Sequence, residues 1–188
     1  MFVSKVTEEI KQKLRLDEIS TTMKSLESAE WIVYETENDK IVGAAGIGGL
    51  FHSSSININE KFQGRGYGKK IQKRLVEEAK FKNFSYVTVF VDPRNTSSVK
   101  MHQNVGYQDI FRVHYSSEII QDVKIIVLKK EGEFVKYLLS AFNTKIGMFF
   151  LASILKIFQN NFRQLIGYNE KNIPKLSFNY IIKKFEKI

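Results

Sequence analysis

Residues 62 to 70 read FQGRGYGKK, with glycines at 64, 66 and 68, Arg65 between two of them, and Lys69 and Lys70 directly after. The chemistry this spacing suits is anion binding. The first amides of a helix have no intrahelical partners, and the aligned peptide dipoles place partial positive charge there. Glycines strip away the side chains that would hold an anion off, so consecutive amides turn toward one group while the basic side chains add diffuse attraction. Three glycines this close exceed what a plain turn needs, and a phosphate cradle is the expected reading. Two familiar cradles are excluded. A nucleotide P-loop needs four residues between its first glycine and Gly-Lys, then Ser or Thr; here the spacing is too short and Lys70 stands in the hydroxyl position. A dinucleotide fingerprint needs a third glycine where Ile71 stands, and Val91 and Asp92 lead straight into Pro93 without a ribose-binding acid.

The elements around the loop must position it. SSSININE alternates, with Ile56 and Ile58 on one face and Asn57 and Asn59 on the other, which predicts a half-buried strand. KKIQKRLVEEAKFK places Ile71, Leu75, Val76 and Ala79 on one side of a helix. WIVYETENDKIVGAAGI predicts a hairpin, with strands at Trp31 to Glu35 and Ile41 to Ile47 and a turn at Glu37 to Asp39. YVTVFV is a buried strand ended by DPRN, TSSVKMHQNVG a short helix with a glycine stop, and YQDIFRVHYS with VKIIVLKK a second antiparallel pair. Residues 5 to 28, with Ile10, Leu14, Ile19, Met23 and Leu26 at helical intervals, predict one or two amphipathic helices. A strand-loop-helix-strand unit set among hairpins points to a mixed α/β fold, not an all-parallel sheet.

Gln63-Gly-Arg-Gly66-Tyr-Gly68 resembles the Q/R-x-x-G-x-G/A signature of the GNAT superfamily of acyl-CoA N-acyltransferases. IVGAAGI is similar to that family's third strand, and ININEKF to its fourth strand and the lead into the loop. Asn95 to Tyr107 is similar to its later Asn, helix and Gly-aromatic motif, so the resemblance runs in order over roughly residues 30 to 128. It implies a largely antiparallel central sheet, splayed after the fourth strand and flanked by helices, with acetyl-CoA as cofactor. The amides of Arg65, Gly66, Tyr67, Gly68 and Lys69 would hold the pyrophosphate, with Gln63 and Gly64 also at the cofactor. Backbone groups of Ile56 and Ile58 would pair with the pantetheine arm as another strand would. Asn95 would contact that arm or fix a water, or else simply make the turn after Pro93. Tyr67 would cover the cofactor, and Tyr107 would pack in the core.

Transfer to nitrogen needs a neutral amine, donors for the oxyanion and a proton for the departing thiolate. Relatives often supply that proton from a tyrosine; counting back from Gly106, the position here holds His102, which donates the proton, only packs beside the sulfur, or is simply exposed. The fourth strand lacks the glutamate some relatives use as a base and offers only Ser53, Ser54, Ser55, Asn57 and Asn59. Relayed water, Glu35 or His52 are the remaining candidates.

The chain has 188 residues, 43% hydrophobic and 26% charged, as expected of an ordinary globular domain. It has no cysteine, which excludes disulfides and thiolate chemistry; no metal site is expected. Charges scattered through MFVSKVTEEIKQKLRLDEIS leave no apolar signal core, which predicts a cytoplasmic chain. The formal net charge is +9, of which residues 129 to 188 contribute +7, from 11 Lys+Arg against 4 Asp+Glu. The expected division is an acyltransferase domain at 1–130 and a basic, apolar helical extension at 131–188. In that extension Phe134, Tyr137, Leu138 and Ala141 form one stripe, and 146 to 158 are apolar nearly all round, too short to span a bilayer. Such a helix must be covered by the sheet, by a second copy or by a membrane surface, with Lys145, Lys156 and Arg163 near anionic headgroups. Nucleic acid is not an expected partner, since the aromatics do not alternate with basic residues. The reading is an acetyl-CoA-dependent N-acetyltransferase acting on a primary amine, small or peptidic, with the net positive charge favouring an anionic acceptor. A non-catalytic acyl-CoA sensor, or an interaction module recruited to membrane by the tail, is the alternative.

Overall fold

The computed structural model describes residues 1–19, 26, 29–49, 51–157 and 178–188. Among the described residues seven strands, mostly antiparallel in their pairing, and the helices beside them give a mixed α/β fold. Two compact units divide it, residues 1–87 and 88–188.

In the first unit β1 (Phe2–Lys5), β2 (Trp31–Glu37), β3 (Lys40–Gly48) and β4 (Ser53–Ile58) pair in that order, each antiparallel to the next. The predicted hairpin is present. Asn38 and Asp39 both take positive φ, 50° and 62°, which the right-handed twist of a two-residue hairpin turn demands, and Glu37 sits opposite Lys40. β1, which the sequence reading did not expect, precedes the predicted helical stretch of 5 to 28 and overlaps it only at Lys5; α1 (Glu8–Leu16) starts only after Thr7, whose hydroxyl accepts from the Ile10 amide. Met23 lies outside the described residues.

The two faces of this sheet carry different helices. On one, Leu14 of α1 joins Ile19, Leu26, Ala29, Ile32, Ile41 and Ala44 in a fully or nearly buried cluster. On the other, α2 (Tyr67–Phe81) buries Ile71, Leu75, Val76 and Ala79 and packs on β2 and β3. Gly43 marks the closest approach on that side, since a Cβ there would lie 2.3 Å from Ile58 Cδ1 and 2.9 Å from Ile71 Cδ1.

β5 (Tyr86–Val91) leads into the second unit, where α3 (Thr96–Val105) is followed by β6 (Gln108–His114) and β7 (Ile120–Val127), the predicted antiparallel pair. α4 (Lys130–Ser140) packs on both of those strands. α5 (Lys145–Ile157) buries Met148, Ala152 and Leu155 and packs on α6 (Phe178–Lys183), which contributes the buried Ile181. So one face of the apolar helix is covered, as its composition requires, and the other is exposed. The chain's last residues are fastened to the unit. The Arg112 guanidinium donates to both oxygens of Asp122, at 2.5 and 3.0 Å, and at 3.0 Å to Glu186, while Asn143 exchanges two hydrogen bonds with the backbone of Ile188. Arg163 lies outside the described residues.

Candidate active site

β4 delivers the loop. The Asn59 amide donates to the Val42 carbonyl at 3.0 Å, and Gly43 lies opposite Ile58, Ala45 opposite Ile56. In an antiparallel ladder hydrogen-bonded pairs alternate. Asn57 and Asn59 therefore turn their peptide groups toward β3, whereas Ile56 and Ile58 turn theirs to the opposite edge of β4. Their peptide groups therefore do not face β3. The side chains follow the same alternation. Asn57 Nδ2 donates to the Ile19 carbonyl and Asn59 Nδ2 to the Asp17 carbonyl at 3.0 Å, tying β4 to the end of α1. Gln63 folds back, its Nε2 donating at 3.1 Å to the Ile58 carbonyl, so the loop's first signature residue braces the strand it follows.

A short 3-10 turn, Glu60–Phe62, then leads into glycines with backbone no other residue adopts readily: φ is 76° at Gly64 and 82° at Gly66. A Cβ at either would meet no atom within 4 Å, so space is open beside both. Gly66 is the residue preceding the first helical turn of α2; no side chain caps that turn, and it holds no acidic residue. The first intrahelical bond runs from the Lys70 amide to the Gly66 carbonyl, so the amides of Tyr67, Gly68 and Lys69 precede the helical ladder. A helix start with basic residues and no cap works against its own dipole. A bound anion reverses that penalty, and open space beside the loop gives it room, so this start fits a pyrophosphate.

Arg65 lies 5.2 Å over the Phe62 ring, and Lys69 is exposed. Lys70 is drawn aside to Glu35 on β2, 2.7 Å away, and that contact raises its pKa. Glu35 also receives the Met1 α-ammonium at 3.0 Å; burial acts to raise its carboxyl, but hydrogen bonds from Lys70 and Met1 prevail and hold it below the ordinary carboxylate range. Tyr67 donates its hydroxyl to Glu37 at 2.7 Å, which raises its pKa and pins the start of α2 to the end of β2. The sequence reading missed both ties to β2. The His52 ring lies between Tyr86, stacked at 5.0 Å, and Phe84, edge-on at 4.6 Å.

Within the second unit Asn95 caps α3, its Oδ1 accepting from the Ser98 amide at 3.0 Å. Seven residues on, His102 is 1% exposed, so it is buried and not a surface side chain. Its Nδ1 lies 2.9 Å from the Ser98 carbonyl, which only accepts, so Nδ1 carries the ring hydrogen and Nε2 the lone pair. Nε2 is buried with no hydrogen-bond partner among the described residues. Burial, with Lys124 adding repulsion, outweighs the Ser98 contact and lowers the His102 pKa to about 4, so the ring is neutral at physiological pH. α3 ends at Gly106, φ 107°, where the Tyr107 amide reaches back to the His102 carbonyl and the Gly106 amide to Gln103. Tyr107 is buried, as expected, its ring edge-on to His102 at 5.3 Å.

The acetyltransferase (GNAT) family model matches residues 4–107. No curated protein matches the chain. Among solved structures, an N-acetyltransferase from Staphylococcus aureus is similar at 17% identity and TM-score 0.55, covering 68% of this chain and 98% of its own. The ribosomal-protein-S18-alanine N-acetyltransferase from Escherichia coli is similar at 11% identity and TM-score 0.54, covering 68% and 94%. A spermidine N-acetyltransferase chimera from Vibrio cholerae and the human enzyme is similar at 14% identity and TM-score 0.55, covering 68% and 97%. At these identities the likeness speaks for the fold. The family takes its acyl group from acetyl-CoA, and the uncapped, glycine-lined start of α2 fits that cofactor's pyrophosphate. With more than half its length matched, and with the strand, loop and helix that the match implies all in place, the chain belongs to the GNAT family of acetyltransferases.

Proposed function

We propose that this protein transfers the acetyl group of acetyl-CoA to a primary amine, with residues 1–130 as the acyltransferase domain and 131–188 as its extension. The observation that carries the reading is the start of α2: an uncapped, acid-free first turn behind two open glycines of positive φ. The amides from Gly64 to Lys69 hold the pyrophosphate, with Arg65 and Lys69 adding charge. Gln63 keeps the end of β4 in place, and the outward peptide groups of Ile56 and Ile58 accept the pantetheine arm as a further strand. Asn95 sets the start of α3. Tyr67 acts through Glu37, holding the first turn of α2 in position.

In the transfer the amine nitrogen bonds the acetyl carbon, the carbon–sulfur bond breaks, and the proton lost by nitrogen ends on sulfur. His102 is assigned to that proton. Because its ring starts neutral with Nδ1–H given to Ser98, Nε2 acts first as acceptor, taking the proton from nitrogen and returning it to sulfur. Glu35 has both carboxylate oxygens held in ion pairs, with the Met1 ammonium and Lys70, which leaves it poorly placed to act as general base. The amine therefore arrives neutral or loses its proton to water. The protein acts in the cytoplasm.

The same observations favour a second reading, an acyl-CoA-binding sensor: His102 has no proton to offer at Nε2, and Glu35 is held in two ion pairs. Thiol release separates the two. The full chain is mixed with acetyl-CoA and a panel of amines, including a polyamine, an amino sugar, an amino-sugar phosphate and peptides with free N-termini. Turnover with one class, falling roughly a hundredfold or more in His102→Phe, supports the enzyme. Saturable acetyl-CoA binding without thiol release from any amine supports the sensor.

A further inference from the structure

The exposed side of α5 is a continuous apolar surface. Ile146, Phe149, Phe150, Ile154 and Ile157 fall at i, i+3, i+4, i+8 and i+11, one side of a helix, and are 47% to 75% exposed. The opposite side, Met148, Ala152 and Leu155, is buried in the unit's own packing. Lys145 and Lys156, three turns apart and both exposed, line one flank of the apolar side, beside Phe149. α5 contains no acidic residue. α4 adds Phe134, Tyr137 and Leu138, 51% to 77% exposed. An exposed patch of this extent is a docking surface.

We propose that α5 seats in the headgroup layer of an anionic lipid bilayer, lying in its plane. Charge decides among the occupants. Residues 129 to 188 carry 11 Lys+Arg against 4 Asp+Glu, and a second copy of this face would meet the lysines with more lysines. The chain's own stretch from 158 to 177 is no better matched, with Arg163, Lys171 and Lys175 against Glu170 alone. An anionic surface complements all of these, while the phenylalanines and isoleucines enter the acyl boundary and the lysine stems reach outward to headgroups. Length decides the orientation. Thirteen residues span about 20 Å, short of the roughly 30 Å hydrocarbon core, and no single helix among the described residues is long and apolar enough to cross it; Lys130–Asn143 and α5 together have the length and composition, but they are bent by 95° and do not form one straight span. This inference stands apart from the acyl transfer, since none of its residues belongs to the glycine loop or α3.

The test is co-sedimentation of the full chain with vesicles of phosphatidylcholine alone and of phosphatidylcholine mixed with phosphatidylglycerol, with sedimentation velocity on the same samples. The proposal predicts binding to the mixed vesicles only, weakened by added salt. It predicts roughly tenfold or greater loss in Phe149→Ser/Phe150→Ser and a smaller loss in Lys145→Gln/Lys156→Gln, with circular dichroism and acetyl-CoA binding unchanged in both. Equal binding to neutral vesicles would overturn the anionic assignment. A dimer that the double serine variant dissociates, with no vesicle binding, would give the face to a second copy and overturn the proposal. A monomer that binds neither vesicle would overturn it as well.

Discussion

Two strand-to-helix junctions in this chain solve the same problem in opposite ways. After β5, Asp92 accepts from the Arg94 amide and pairs with its guanidinium, Arg94 also reaches the Glu118 carbonyl at 2.6 Å, and Asn95 caps α3 with its side chain. That junction closes on itself. After β4, Gln63 braces the strand and Tyr67 is tied to Glu37, but the first turn of α2 has no side-chain cap, no acid, and open space beside Gly64 and Gly66. The difference teaches how to tell a structural turn from a binding turn. Where side chains answer the helix's orphan amides, nothing further is needed; where glycines and cations surround them, an anion completes the structure.

Filling the open junction gives the largest expected effect. Gly64→Val places a β-branched side chain at φ 76° and in the open space; cofactor affinity falls at least tenfold, and the backbone strain costs about 1–3 kcal/mol of stability in denaturant melts. On the closed side, α3 holds a pH-dependent element in His102. Its pKa is about 4 folded against 6.5 for the ordinary ring, so the unfolded chain binds the proton first and stability falls as pH drops from 6.5 to 4. The loss amounts to about 3 kcal/mol at full extent, and His102→Phe flattens that part of the pH profile. Beneath the open junction, Gly43→Ala drives a methyl against the ends of Ile58 and Ile71; thermal melts report a loss of about 1–3 kcal/mol, tempered by the freedom of those side chains to turn. Smallest is Asn95→Ala, which removes a cap and costs about 1 kcal/mol.

Much of this contrast was legible before any coordinates. The alternation of Ile56 and Ile58 with Asn57 and Asn59 fixed which faces of β4 they occupy, and the three glycines marked the loop, because both signals are local. The hairpin turn at 37 to 39 and the glycine stop at 106 were legible for the same reason. β1 was not: four residues supply too short a pattern, and their pairing with β2 is some thirty positions away. The ties of Tyr67 to Glu37 and Lys70 to Glu35 join residues 30 and 35 apart, with no motif linking them, so the cover expected of Tyr67 and the base considered in Glu35 were read without their partners. His102 could be placed on α3, and Ser98 stood visibly one turn before it. Which nitrogen holds the hydrogen follows only from the Ser98 carbonyl at 2.9 Å, and it is this detail that leads the proposed reading to start His102 as an acceptor.

The central claim is that the uncapped junction binds acetyl-CoA and the capped one serves structure. Isothermal titration of acetyl-CoA into the unaltered chain, Gly66→Asp and Asn95→Ala tests it in one series. The account predicts saturable binding to the unaltered chain, the same affinity within about twofold for Asn95→Ala, and none for Gly66→Asp, where a carboxylate meets the site's own anion. Binding that survives in Gly66→Asp, or is absent from the unaltered chain, would contradict it.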